Sequence, residues 1–202
     1  MLRAISSVLA AALLAGCAST TTPQREGGFE YEPSAAHPFG RPNPAAPPEL
    51  ADFAFMIGRN DCTDSRRQPN SDDWVEGERT WDAQYTMNGF AIIDTGGSGG
   101  AANGNMRVYD PATSQWQVTF FSMPAYSSGV WAGGRVDAPD TAAGYVLVLK
   151  QDIPAPGTQF AGDSTLTFSE ISDSGFEWRG EWISKDGSVI YPFRRISCRK
   201  AS

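Results

Sequence analysis

The residues in this chain best suited to chemistry are aromatic and stand at alternate positions. Arg79, Trp81 and Tyr85 share one parity of a long run in which Glu76, Glu78, Asp82 and Gln84 take the other. Successive side chains of a strand point to opposite faces, so the first set gathers on one side and the acidic set on the other. The acidic set cannot face a dry core together, so the inward face is the one with the rings. The same parity puts Trp116 with Phe120 and Trp178 with Trp182, and Phe168 joins them from another run. Collected in one space, these rings would cover the apolar body of a small molecule, and Arg79 would meet its polar end. An inward Arg is costly unless it finds a carboxylate, a water or an anionic ligand. The competing reading is that the rings fill the space and Arg79 sits in a structural ion pair.

Other chemistries find no support. The single histidine, His37, stands in a Pro-rich stretch outside the part that can fold, which removes His-based triads, His-ligated zinc and proximal-His haem. No cofactor and no metal is expected. Gly96-Gly97-Ser98-Gly99-Gly100 matches the G-x-S-x-G pattern of hydrolases, but that elbow needs a strand-to-helix turn and a downstream His. With no Lys-Ser/Thr after it, the run is no phosphate loop either, and a flexible hairpin loop is the better reading. Glu177 with Glu181, and Asp72 with Asp73, are carboxylate pairs read as solvated faces. No catalytic residue is assigned.

The three cysteines divide by position. Leu14-Ala15-Gly16-Cys17 follows Arg3 and the apolar run from Ala4 to Leu14, too short to span a bilayer and shaped for export. It resembles a bacterial lipoprotein signal, in which Cys17 carries the lipid after residues 1–16 are removed. That implies thioether-linked diacylglycerol, a palmitate-type acyl anchor and an envelope location. Ala18 lacks the Asp that signals inner-membrane retention, so the periplasmic face of the outer membrane is expected if the cell is Gram-negative. Removal of residues 1–16 takes away Arg3 alone among charged residues, moving the formal charge from −7 to −8. An acidic chain without a Lys/Arg run has no electrostatic footprint for nucleic acid, and the acyl chains remain as the membrane contact. In an oxidising compartment Cys62 and Cys198 are expected to pair rather than stay as buried thiols.

Residues 17–48 hold seven of the fourteen prolines and almost no branched apolar residue, so they read as a lipidated Cys and a disordered Pro/Thr-rich tether. The domain spans 49–202. It opens with a short helical turn around Leu50, Phe53 and Phe55 and continues without an amphipathic helix. Alternating runs separated by Gly, Asn, Asp and Pro predict an all-β antiparallel domain of about ten strands. Asn88-Gly89, Asp110-Pro111-Ala112-Thr113 and Asp186-Gly187 mark tight turns; a loop is expected at 96–104 and a longer connection at 153–162. Sequential hairpins make a sandwich or an up-and-down barrel. Cys62 on the first strand and Cys198 on the last favour the barrel, because closure makes those strands neighbours.

Asp52-Phe53-Ala54-Phe55-Met56-Ile57-Gly58, the hairpin Tyr109-Asp110-Pro111-Ala112-Thr113-Ser114-Gln115-Trp116 and Ser184-Lys185-Asp186-Gly187 resemble a bacterial lipocalin-like (calycin) family, domain of unknown function 1579. The resemblance covers residues 50–200 and implies a lipocalin-like barrel. Asn60 departs from the Trp that many calycins carry two residues after the first Gly, and the barrel floor is expected to lack its usual aromatic plug. The sequence thus points to a membrane-tethered binding protein for a small, partly apolar ligand, without catalysis. The alternative is a structural or protein-interaction lipoprotein with a filled barrel.

Overall fold

A computed structural model describes residues 29–98, 100–154 and 160–201. Residues 1–16, Cys17, the start of the tether and the middle of the 153–162 connection lie outside the described residues. Ten antiparallel strands close into a barrel: β1 (Gly58–Arg67), β2 (Trp74–Thr86), β3 (Ala91–Ser98), β4 (Ala101–Asp110), β5 (Gln115–Met123), β6 (Ser127–Asp137), β7 (Tyr145–Asp152), β8 (Gly162–Ser172), β9 (Gly175–Ser184) and β10 (Ile190–Lys200). Each strand pairs with the next, and β10 returns to pair with β1, so no edge remains. The up-and-down barrel, favoured over a sandwich by the positions of Cys62 and Cys198, is the architecture found.

A 3₁₀ helix, Pro48–Met56, closes one end, here called the floor. Pro48 suits its first turn because the missing N–H would be unbonded there in any case. The buried residues Leu50, Phe53 and Met56 recur every third position. Three residues per turn stacks them on one face, so the helix type and the apolar spacing serve the same end. Phe53 enters edge-on against Trp116 at 4.8 Å and Phe168 at 5.4 Å between ring centroids. Phe55 packs on Phe176 at 5.0 Å. The floor therefore has an aromatic plug, supplied by the helix instead of the first strand. Asn60 acts as a polar tie instead. Fully buried, it donates through Nδ2 to the carbonyls of Met56 and Trp81, both at 2.9 Å, and so fastens the helix end to β1 and β2.

Part of the Pro-rich stretch, read as free tether, is hydrogen-bonded to the barrel. Tyr85 N–H donates to Phe39 O at 2.9 Å, Asn43 N–H to Gly89 O at 3.0 Å, and Asn88 N–H to the Glu32 carboxylate at 2.7 Å. Backbone and short polar side chains make this attachment, which is why a search for apolar residues does not find it. The 87–90 turn carries positive φ at Asn88 and Gly89, as an Asn-Gly turn requires, and at Met87 as well. Gly89 is doubly constrained, since a Cβ there would lie 2.6 Å from both Arg41 O and Asn43 N.

The loop expected at 96–104 is mostly strand. Gly96 and Gly97 pair with Trp81 and Thr80 on one side and with Asn103 and Ala102 on the other. Ladder hydrogen bonds depend on the backbone, so glycines held between two strands pair despite their low intrinsic preference for sheet. Cys62 and Cys198 stand directly opposite in the β1–β10 ladder and form a buried disulfide across the seam.

Candidate functional site

Inside the barrel, on the mouth side of the plug, lies a cavity of ≈ 220 Å³. Its lining mixes rings, from Trp81, Phe120, Trp131, Phe168 and Trp178, with polar groups, from Arg79, Asn103, Asn105, Arg107 and Arg194. The two sets touch, Arg79 lying over Trp81 and Arg107 over Phe168. The strand alternation described above delivers Arg79 and Trp81 from β2 and Trp178 from β9. A register shift in β10 between Pro192 and Arg194 lets Phe193 and Arg194, consecutive residues, both reach the cavity.

The polar set is built in layers. Deepest is Arg107, fully buried, whose guanidinium lies over the rings of Phe53 and Phe168 at 4.8 and 5.5 Å. Its partner is Asp94, at 2.7 Å and equally buried. Asp94 also accepts hydrogen bonds from Trp81 Nε1 at 2.8 Å and Asn105 Nδ2 at 2.7 Å. Burial lowers the affinity of the Arg107 guanidinium for its proton, and Asp94 opposes that shift. Toward the mouth, Arg194 forks onto Asp64 with bonds of 2.7 and 2.6 Å, and Arg66 adds two more of 3.1 and 2.9 Å. Burial alone would raise the Asp64 carboxyl, but these guanidinium bonds outweigh it and hold the group below the usual carboxylate range.

Arg79 lies between these pairs and belongs to neither. It is 6 % exposed, and among the described residues no carboxylate pairs with it. Its Nη2 donates to Asn103 Oδ1 at 3.0 Å, its guanidinium lies 5.2 Å from the Trp81 ring, and its buried Nε has no hydrogen-bond partner. Burial, reinforced by Arg194 and opposed by the more distant Asp64 and Asp94, pulls its pKa down to about 10, which leaves it charged at neutral pH. To reach Asn103 on β4 the side chain must cross β3. It does so over Gly96, where a Cβ would stand 2.6 Å from Nη2. No protein-family model matches the chain, and no curated protein matches it. The cavity's own geometry therefore carries the functional argument.

Five of the eight candidate residues come together at the cavity: Arg79, Trp81, Phe120, Phe168 and Trp178. The other three do not line it. Trp116 belongs to the floor, where its Nε1 donates to Asp52 at 3.2 Å; burial raises that carboxyl, with the Trp116 bond opposing. Tyr85, also buried, is near the floor end of β2, beside the attached 29–47 segment. Trp182 is at the mouth, donating to Ile153 O at 3.1 Å and lining an open groove of ≈ 1180 Å³ between the 67–74 and 184–190 turns. That groove is larger and has an apolar surface around Trp182, Val189 and Tyr191, but it lies open to solvent, whereas the inner cavity is enclosed by the strands and has a buried cation without a carboxylate.

The sequence reading missed Asp64, Asp94, Asn103, Asn105, Arg107, Trp131 and Arg194. On β4 the hydropathy pattern is inverted: Asn105 and Arg107 face the interior while Met106 and Val108 face outward. Only the register, Asp94 opposite Asn105 and Ile92 opposite Arg107, reveals it. The carboxylate pairs are engaged elsewhere: Glu177 accepts from Ser197 at 2.6 Å, Asp72 pairs with Arg67, and Asp73 accepts from Ser71 at 2.7 Å. Among the described residues no group of three or more His, Cys, Asp or Glu is placed to hold a metal ion.

Proposed function

We propose that this protein is an envelope lipoprotein, anchored through lipid on Cys17, whose barrel binds a small, partly apolar molecule. The closed ten-stranded barrel is compatible with the lipocalin-like architecture that the sequence resembles. The observation that carries the binding reading is the cavity, whose lining combines aromatic rings with guanidinium and amide groups. Such a lining offers cover for an apolar body and donors for a polar end. At about 30 Å³ per water, ≈ 220 Å³ holds roughly seven waters or a ligand of roughly ten non-hydrogen atoms. That is small beside the roughly 300 Å³ at which drug-sized pockets begin, and it favours a single-ring or short-chain compound.

The test is titration of tryptophan emission with single-ring alcohols and acids, alongside native mass spectrometry for a ligand carried through purification. Trp81, Trp131 and Trp178 at the cavity wall should report binding. Leu166→Trp, which adds bulk at that wall, should abolish it. No response to any probe, with no bound mass, would shift the reading to a structural lipoprotein. The aromatic plug of Phe53, Trp116, Phe168 and Phe176 already fills the floor half and gives that rival its support. Anchoring has its own check: Cys17→Ala should move the protein from the membrane to the soluble fraction or leave it unprocessed. Continued sedimentation of that variant with membranes as processed protein would refute the lipid anchor.

A further inference from the structure

We infer that the cavity selects a monoanion, a single-ring or short-chain carboxylate whose head is held by Arg79 and Asn103. This rests on the binding reading above and adds the ligand's charge and chemical class. The argument is one of charge balance. Three guanidiniums line the cavity, those of Arg79, Arg107 and Arg194. Two carboxylates are committed to them, Asp94 to Arg107 and Asp64 to Arg194. Arg66 also bonds Asp64, but its side chain is 52 % exposed and water screens it. One buried positive charge is left without a carboxylate in contact, and it is on Arg79, which feels Asp64 and Asp94 only at a distance.

Position agrees with charge. Arg79 is held across Gly96 by its bond to the Asn103 carbonyl oxygen, with the Trp81 ring beneath it. Its buried Nε has no partner among the described residues, and the Asn103 amide nitrogen is a further donor in the same wall. A carboxylate accepts from a guanidinium and an amide together, whereas a ligand amine would add a second cation beside Arg194. A dianion would exceed the single free charge, since the other two guanidiniums are already neutralised. The rings of the lining then cover the body of the ligand, and the volume limits it to about one ring with a short linker.

Calorimetric titration of the processed full-length protein in mild detergent tests this with three probes of one shape, 3-phenylpropanoate, 3-phenylpropanamide and 3-phenylpropylamine, and with the branched dianion phenylsuccinate. The wild type should bind 3-phenylpropanoate about tenfold or more tighter than the amide, as expected for a hydrogen bond to a charged group, and should reject the amine. In Arg79→Met the acid should lose that advantage while the amide still binds; Arg79→Lys should keep part of it. If Arg79→Met does not fold, the wild-type comparison of acid with amide decides alone. Equal binding of acid and amide to the wild type would overturn the monoanion inference and leave the cavity reading standing. Tighter binding of phenylsuccinate than of 3-phenylpropanoate would overturn the single-charge count. Binding of none of the four would overturn the cavity reading and this inference together.

Discussion

Gly96 and Arg79 act as one unit although they stand on different strands. The guanidinium can lie across β3 only because position 96 has no side chain; a Cβ would meet Nη2 at 2.6 Å and Thr80 O at 2.5 Å. Gly96→Ala should therefore displace Arg79 from Asn103, cost about 1–3 kcal/mol through overpacking, and lower affinity for carboxylate probes. Chemical denaturation and the titrations above would read the two effects separately; unchanged stability and affinity would refute the coupling. Asp64 gives a second test at this scale. A carboxyl held below its ordinary range contributes stability above its unfolded pKa, near about 4, and loses it as pH falls through the lower folded value. Asp64→Asn should cost about 2–4 kcal/mol at neutral pH, discounted for the exposure of Arg66 and Arg194, and should flatten the acid limb of the stability curve. An unchanged acid limb in the variant would assign that limb to other carboxylates. Arg79 itself was legible in the sequence, because it interrupts an otherwise aromatic and small parity on a long strand. Its neighbours Asp94 and Arg107 were not, because on β3 and β4 apolar and polar residues do not alternate cleanly and the inward set is the polar one. Hydropathy parity finds a core face, and it fails where the interior is a charged wall.

At the scale of elements, strands and turns were legible wherever a local signal set them. The Asn88-Gly89 turn shows the positive φ its sequence demands, and Asp110 caps its turn by accepting from Ala112 N–H and Thr113 Oγ1, both at 2.9 Å. What the sequence hid depended on a partner distant along the chain. The glycines at 96 and 97 are strand because β2 and β4 flank them, and residues 29–47 are attached because the 87–90 turn offers carbonyls and an Asn side chain. That attachment should be breakable from the turn. Gly89→Ala puts a side chain at φ +78° and into the backbone of Arg41 and Asn43, with an expected cost of about 1–3 kcal/mol. Since the contacts made by Gly89 are with the N-terminal segment, the loss should fall there first. Limited proteolysis should cut between residues 30 and 45 much faster in the variant, while the barrel melts at nearly the same temperature. Equal protection of that segment in both proteins would mean that Phe39 and Tyr85 hold it without the turn.

For the whole molecule the closing step is the pairing of β1 with β10. Every other strand pair joins consecutive segments through a connection of limited length, whereas this one joins residues 136 positions apart. Loop-closure entropy is therefore concentrated at one seam, and the seam is where the disulfide lies. On the chain-entropy model a cross-link over that distance stabilises by at most about 4–5 kcal/mol. For a domain of this size, where each kcal/mol moves the midpoint by roughly 2–4 °C, that corresponds to a drop of about 10–15 °C on its removal. A Cys62→Ala/Cys198→Ala variant should show at least this drop, because the buried contacts of both side chains go with the cross-link. The location of the loss is more telling than its size. Amide exchange should rise first in β1 and β10, and the cavity should suffer with them, because Arg194 and Ile196 approach it from β10 while Asp64 holds Arg194 from β1. Carboxylate affinity should therefore fall in the double variant at temperatures well below its melting point. If exchange instead rises evenly around the barrel and affinity is kept until global unfolding, then the ladder alone closes the ring, and the disulfide acts only on the unfolded chain.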